Sequence, residues 1–100
     1  MDKNTILLYL KSQKNLFKEK YGITELGLYG SYARDEETER SDVDIFYERD
    51  SSFQLKSGLD FLAVHDQIAK DLNVEHLDFV KLSSMNPIIK YYAEKDFLYV

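Results

Sequence analysis

The sequence predicts one α/β (α+β) domain in which helices flank a mixed β-sheet. Apolar residues recur at helical spacing near the start of the chain, alternate with polar residues in later segments, and return to helical spacing within residues 55–72. The chain has 100 residues, of which 44% are apolar and 31% charged, an ordinary composition for a globular domain with a modest core. We therefore expect residues 1–100 to form a single domain.

The first predicted elements are a helix and a strand. The helix is indicated by the apolar positions of one face, with lysines between them: Ile6, Leu7, Leu10, Leu16 and Phe17. Asp2 or Asn4 is a suitable N-cap for this helix, and Gly22 lies where a helix usually ends. Residues 23–29 then alternate in polarity, which predicts the first strand.

The middle of the chain predicts a second strand and a second helix. Residues 30–34 follow the first strand directly and could open a short helix, and a strongly charged loop occupies residues 35–41. Alternation over residues 42–47 predicts the second strand. An amphipathic helix ending near Asn73 is indicated by the spacing of Leu55, Leu59, Leu62, Ala63, Ala69 and Leu72.

The last part of the chain predicts two more strands around a short helix. Residues 74–82 alternate and predict the third strand. Pro87 suits the first turn of a helix, with Asn86 or Ser84 as its cap. The tail, residues 97–100, predicts a short edge strand.

Composition narrows the function classes. A net charge of −5 argues against passive binding to nucleic acid, which needs basic patches. The chain has no cysteine, which excludes disulfides, thiolate metal sites and a cysteine nucleophile. It has no signal-peptide pattern and no apolar run near the roughly 20 residues that span a bilayer. We therefore expect a cytoplasmic protein with no membrane association and no direct nucleic acid binding.

Asp42 and Asp44 are the first candidate functional residues. Alternate residues of a strand share a face, so both carboxylates should project from the same side of the second strand. Such a pair repels itself and is costly to desolvate, and a divalent cation would relieve both costs. Mg²⁺ commonly binds one or two carboxylates together with phosphate oxygens. Taken alone, however, the pair is better explained as the solvent face of an edge strand that discourages sheet pairing.

Gly30 and Ser31 are the second candidate pair, at the end of the first strand. Glycine lets the backbone approach an anion closely, and amides at the start of a helix favour phosphate. Alone, such a pair is usually just a turn. In this chain, ten residues separate Ser31 from Asp42, which opens the next strand. A phosphate-binding turn would therefore lie beside a cation-binding pair.

With these residues the sequence resembles the nucleotidyltransferase domain of the DNA polymerase beta superfamily. The hallmark of that superfamily is a Gly-Ser strand end, a spacer, and Asp-x-Asp on the next strand. Residues 28–34 (LYGSYAR) and 41–45 (SDVDI) are similar to its minimal members, and the close match covers residues 26–46. Asp35 is a departure, because these minimal proteins usually have glycine after the arginine. The resemblance implies a polymerase-beta-like nucleotidyltransferase fold.

The resemblance also implies a third carboxylate on a later strand. Asp78 matches the family position that precedes two apolar residues, and Glu75 is the alternative, although strand parity puts it on the other face. Asp42, Asp44 and Asp78 would then bind two Mg²⁺ ions and catalyse transfer of a nucleoside monophosphate from a triphosphate, ATP, to a hydroxyl group.

Other residues have weaker claims on the site. In the resemblance, Gly30 and Ser31 hold the outer phosphates, and Arg34 reaches the triphosphate. Arg34 could instead be a surface residue paired with an acidic neighbour, Asp35 or Glu36. Neither histidine has a partner at metal-ligand spacing, so we interpret both as structural or surface residues: His65 and His76.

The short length of the chain suggests that another protein presents the acceptor. The minimal members called MntA-type antitoxins resemble this chain in length and motif. They pair with HEPN-domain ribonuclease toxins and transfer AMP from ATP to a tyrosine hydroxyl of the toxin, which silences it. The resemblance thus implies a hetero-oligomer with such a toxin. Two alternatives are an antitoxin that masks its toxin sterically without catalysis, and the catalytic subunit of a two-component enzyme that modifies a small molecule.

Overall fold

A mixed four-stranded sheet organises the computed structural model, which describes residues 1–100. The helices and strands, in chain order, are α1 (Lys3–Tyr21), β1 (Ile23–Tyr29), β2 (Val43–Arg49), α2 (Asp60–Leu72), β3 (Leu77–Lys81), α3 (Pro87–Ala93) and β4 (Leu98–Tyr99). The strand order is β3-β2-β1-β4. β1 is antiparallel to both β2 and β4, whereas β2 and β3 are parallel. The predicted fold class, a mixed sheet flanked by helices, is confirmed.

The two faces of the sheet differ strongly. One face packs against α1 and α2, and its core includes Ile6, Leu10, Leu28, Ile45, Val64 and Ile68. The opposite face holds a small cluster of three buried residues, Phe46, Leu82 and Met85, beside Tyr29, Val80 and Phe97. Since side chains alternate along β2, Asp44 shares this second, more open face with Phe46.

Helix α1 begins and ends as the sequence predicts. The Asp2 carboxylate accepts a hydrogen bond from the Thr5 amide at 2.9 Å, which satisfies one of the free amides of the first turn. Gly22 ends the helix with φ at 70°, a left-handed conformation that favours glycine. The prediction that Leu16 belongs to the buried face of α1 is wrong, because this residue is 43% exposed.

Helix α2 starts later than its apolar spacing suggests and buries a different face. The Ser57 hydroxyl accepts from the Leu59 amide, and the Asp60 carboxylate accepts from the Ser57 amide, so local hydrogen bonds hold this segment as a turn. The helix then buries Val64 and Ile68. The predicted face was wrong at Leu59 and Leu62, which are 68% and 60% exposed.

The remaining elements are close to their predicted positions. β1 has its predicted bounds, and β2 begins one residue later than expected. β3 is shorter than the predicted strand over residues 74–82. Asn86 caps α3, its side chain accepting from the Ile88 amide at 2.9 Å. None of the helices combines the length and the apolar character that a membrane-spanning helix needs.

Candidate active site

Three neighbouring strands bring three polar side chains to one end of the open face. The antiparallel register pairs Tyr29 of β1 with Asp44 of β2, and the parallel register pairs Asp44 with Asp78 of β3. Residues in register on adjacent strands project from the same face of a sheet. The two carboxylates predicted from separate strands therefore lie side by side.

Asp44 lies at the centre of this group and has an unusual electrostatic environment. Burial raises the pKa of Asp44 to about 7, with further contributions from a hydrogen bond with Asp78 and from the negative charges of Asp78 and Asp42. The Arg34 guanidinium acts in the opposite direction. A carboxyl group that releases its proton near neutral pH is typical of a position built to face a cation.

Asp42 immediately precedes β2 and is exposed. Its negative charge adds to the field that raises the pKa of Asp44, so the two groups interact. The structure contains no cluster of three or more acidic, histidine or cysteine ligands already arranged around one point. The donor set nevertheless fits Mg²⁺, because carboxylate oxygens are its preferred protein ligands and because Asp44 and Asp78 repel each other when both are ionised.

Gly30 is packed directly against the Asp44 carboxylate. A Cβ atom at this position would lie 2.2 Å from Asp44 Oδ2 and 3.0 Å from its Cγ. Gly30 also has φ at +78°, which L side chains rarely adopt. The role expected of Gly30 from the sequence is to let a phosphate approach the backbone closely. The structure shows a second reason for glycine here, because the Asp44 carboxylate occupies the space of a side chain.

The segment that follows Gly30 is a single turn, so the predicted short helix is wrong. The Arg34 amide donates to the Gly30 carbonyl at 3.2 Å, and the Glu36 amide donates to the Ser31 carbonyl at 2.9 Å. The turn stops at Asp35, whose φ of 58° is left-handed. The structure thus gives a reason for the family's usual glycine at this position. The Asp35 side chain is ion-paired with Lys3 at 2.9 Å.

Arg34 lies on the same turn with its guanidinium held by two carboxylates. Its Nε donates to Glu36 at 3.0 Å, and its Nη1 donates to Asp96 at 2.9 Å. These hydrogen bonds raise the pKa of Arg34 above its ordinary value. The sequence anticipated Glu36 as a partner but gave no signal for Asp96, which is far away along the chain and is brought close only by the tertiary fold.

Tyr29 is a further residue of this group that was not predicted from the sequence. Its ring contacts the rings of Phe46 and Phe97 at centroid distances of 6.3 Å and 5.8 Å. Burial, together with the charges of Asp44 and Asp78, raises the pKa of Tyr29 to about 12, so the phenol stays neutral beside the carboxylates. Strand parity could have identified it, because Tyr29 immediately precedes Gly30 at the end of β1.

The other candidates from the sequence lie apart from this group. Glu75 precedes β3 and is exposed, so it has no register partner on β2. His65 of α2 hydrogen-bonds to the Asp66 carboxylate and to the Leu77 carbonyl, 3.0 Å and 2.9 Å away, which is a structural role. His76 is exposed.

The largest cleft, of about 520 Å³, does not contain the candidate site residues. It lies elsewhere on the surface, and its lining includes three carboxylates, those of Glu25, Glu48 and Glu94, with Lys90 as the basic residue. This cleft includes neither Gly30 nor the register pair of Asp44 and Asp78. The strand-end group around Asp44 is therefore the better candidate despite its more open position.

Comparisons with known proteins bear on the family and the fold of this chain. The model of the family described as "Nucleotidyltransferase domain" matches residues 10–100. A Methanocaldococcus jannaschii protein named "Putative protein adenylyltransferase" is 35% identical, over 91% of this chain and 90% of that protein. The protein adenylyltransferase MntA of Thermococcus cleftensis is 31% identical over 91% of this chain and 88% of its own length.

Solved structures share the fold. One described as a "putative minimal nucleotidyltransferase" superposes with a TM-score of 0.76 and 21% identity, covering 98% of this chain and 95% of that one. A chain of the toxin–antitoxin MntA-HpeT superposes with a TM-score of 0.64 and 15% identity, covering 99% of this chain and 71% of that one. Since the family model matches residues 10–100 and the Methanocaldococcus jannaschii relative is 35% identical over 91% of this chain, the chain belongs to the nucleotidyltransferase domain family and is a nucleotidyltransferase.

Proposed function

We propose that this chain is an MntA-type antitoxin that acts as a protein adenylyltransferase. It would transfer AMP from ATP to a tyrosine hydroxyl of a partner HEPN-domain ribonuclease toxin and so neutralise the toxin. The observation that carries the proposal is the register of Asp44 and Asp78 on adjacent strands, with Gly30 against the Asp44 carboxylate. The names of the relatives, protein adenylyltransferase and MntA, support the choice of a protein as the acceptor.

In this proposal three carboxylates bind the metal. Asp42, Asp44 and Asp78 would hold two Mg²⁺ ions, which supply positive charge against the phosphates. Asp44 must give up its proton to bind a cation, and its pKa of about 7 makes that step accessible at neutral pH. Asp78 is on β3, an edge strand of the sheet, so the acceptor can approach it from outside.

The transfer is a displacement at the α-phosphorus of ATP. The tyrosine oxygen of the partner forms a bond to the α-phosphorus, and the bond from that phosphorus to the oxygen bridging to the β-phosphate breaks, which releases diphosphate. Asp78 would accept the phenolic proton. Backbone amides of the turn at Gly30 and Ser31 would donate to the outer phosphates, and Arg34 would exchange a carboxylate partner for a phosphate oxygen.

The charge of the chain suits the proposed partner. A net charge of −5 favours association with a basic protein, and a ribonuclease that binds RNA is expected to be basic. Opposite charges of this kind raise the association rate more than the final affinity. The proposed complex should therefore form more slowly at high salt.

One incubation tests the proposal. The purified chain is mixed with Mg²⁺, the product of the neighbouring gene, and ATP labelled either at the α- or at the γ-phosphate. We expect α-label, and no γ-label, on a tyrosine of the partner, together with loss of its ribonuclease activity. Label on a small molecule would instead support the two-component enzyme. Loss of ribonuclease activity with no label anywhere would support steric masking.

A further inference from the structure

A small, open slot lies beside the candidate site, between the Gly30 turn and helix α3. Its volume is about 330 Å³, at the small end of the range for ligand sites. One wall consists of Tyr29 and Gly30, and the opposite wall consists of Ile88, Ile89 and Tyr92 of α3. These α3 side chains have no role in the proposed transfer.

The α3 side chains are apolar and strongly exposed. The exposed fractions are 70% for Ile88, 57% for Ile89 and 64% for Tyr92, and no residue of α3 is buried. A single exposed apolar residue is ordinary, but three that face one slot indicate that a ligand or partner covers them.

The position of the slot favours a nucleotide as that ligand. Tyr29 is the register partner of Asp44, and Gly30 contacts the Asp44 carboxylate, so one wall of the slot is also a wall of the catalytic group. Adjacent strands lie about 5 Å apart. A molecule in the slot therefore begins about one strand's width from Asp44, which suits the part of a nucleotide that is attached to its α-phosphate.

The charge in the slot favours the neutral end of the nucleotide. The Arg34 guanidinium at the rim is neutralised by Asp96, which is 2.9 Å away and whose side chain is only 14% exposed. The other lining residues named above have uncharged side chains. Arg34, which would bind a phosphate oxygen in the proposed transfer, lies at the rim, and a flat, uncharged base would cover the apolar side chains in the rest of the slot.

We propose that the slot binds the nucleoside of the triphosphate, with the base stacked on the ring of Tyr92 and packed against Ile88. The proposal rests on the proposed function, since it assumes that a nucleoside triphosphate is the substrate. Every base has a face that can stack on an aromatic ring, and larger bases stack over more area. The slot should therefore favour purine over pyrimidine triphosphates.

Helix α3 provides a matched control for Tyr92. Tyr91 is its neighbour, is 74% exposed, and does not line the slot. Both tyrosines are exposed, so replacing either should leave the fold intact, and equal thermal unfolding midpoints would verify this.

The test is calorimetric binding of α,β-methylene ATP with Mg²⁺ to the full chain alone. This analogue cannot undergo cleavage of the bond that the transfer breaks. We expect Tyr92→Ala to weaken binding roughly tenfold, the scale of one lost base–aromatic contact. Tyr92→Phe and Tyr91→Ala should each bind within about twofold of the unchanged chain. The methylene analogue of CTP should bind more weakly than that of ATP, and this preference should shrink in Tyr92→Ala.

The outcomes separate this inference from the proposed function. If the unchanged chain binds the analogue and Tyr92→Ala binds it equally well, the slot does not hold the nucleoside and the inference is overturned. The same holds if Tyr92→Ala weakens only the affinity for a partner protein, because the slot would then be a protein-binding surface. If the unchanged chain neither binds the analogue nor transfers AMP, the proposed function fails first.

Discussion

The contact between Gly30 and Asp44 joins the two halves of the sequence motif. Gly30 must lack a side chain because Asp44 Oδ2 occupies the space that a Cβ would fill. Gly30 and the Asp44 carboxylate are therefore parts of one packed unit. This explains, within this chain, why a glycine at the end of one strand accompanies an aspartate on the next.

Gly30→Ala tests this contact. The substitution should lower the free energy of unfolding by about 1–3 kcal/mol, since it adds a left-handed non-glycine residue and pushes against Asp44. Denaturant unfolding measures this loss. Gly58→Ala is the control, because a Cβ at Gly58 meets nothing within 4 Å, and its effect should stay within about 0.5 kcal/mol. Equal losses in both variants would contradict the account.

The carboxyl group of Asp44 should make the metal-free protein less stable at high pH. Its pKa rises from 3.8 to about 7 on folding, so the native state holds this proton more tightly than the unfolded chain does. The destabilisation is absent below pH 3.8, grows between pH 3.8 and about 7, and is complete above that. Asp44→Asn removes the titrating group and with it this pH dependence.

Thermal unfolding without divalent cations measures this effect. At pH 8 we expect Asp44→Asn to be more stable by roughly 1–2 kcal/mol, which is less than the full shift implies because the group is partly solvated. At pH 4 the difference should nearly vanish. Glu75→Gln removes an exposed carboxylate near β3 and should show no such growth with pH. A constant difference between Asp44→Asn and the unchanged chain would contradict the assigned environment.

At the scale of elements, the features that were predicted correctly are those that depend on interactions between residues close in the sequence. The caps at Asp2, Gly22 and Asn86 and the bounds of β1 were correct, because each depends on neighbours in the sequence. The start of α2 was wrong, because the apolar spacing continues upstream through a segment that Ser57 holds as a turn. The spacing of apolar residues does not indicate such competing hydrogen bonds.

The site was predictable where strand parity sufficed and not where tertiary contacts decide. Strand parity indicated Asp44 and the family resemblance indicated Asp78, and the structure places the two in register on adjacent strands. The Asp96 partner of Arg34 could not be predicted, since it depends on how the C-terminal segment returns to the Gly30 turn. The left-handed φ of Asp35 was also not predicted, because a glycine at this position would indicate such a conformation and an aspartate does not.

His65 links α2 to β3 next to Asp78, and this link should depend on pH. A hydrogen bond with Asp66, then one with the Leu77 carbonyl, raises the pKa of His65 above 6.5. Both ring nitrogens face acceptors, so the ring must be protonated to donate to both. The resulting stabilisation is complete below pH 6.5 and is lost as the pH rises through the raised pKa.

His65→Gln should therefore cost more at pH 6 than at pH 8.5. An exposed pair of this type contributes at most about 1 kcal/mol, so we expect a fall of roughly 2–5 °C in the unfolding midpoint at pH 6 and less at pH 8.5. His76→Gln is the control, because His76 is exposed and lies outside this link. A cost for His65→Gln that is equal at both pH values would show that the ring donates without its charge.

In the whole molecule, the two faces of the sheet have different roles, since one holds the larger core and the other holds the candidate site. The face that packs against α1 and α2 contains the larger core, with Ile45, Leu28 and Ile68 fully buried. The opposite face carries the carboxylates and is covered only in part. Its exposed side chains and the negative net charge together suit a protein that completes its site with a partner.

The most direct test of the central claim is AMP transfer by the double variant Asp42→Ala/Asp44→Ala. We expect this variant to fold with unchanged far-ultraviolet circular dichroism but to transfer no label from α-labelled ATP, because two of the three cation-binding carboxylates are gone. Glu75→Gln, assayed beside it, should retain the activity of the unchanged chain. Label transfer by the purified double variant at the unchanged rate would contradict the account.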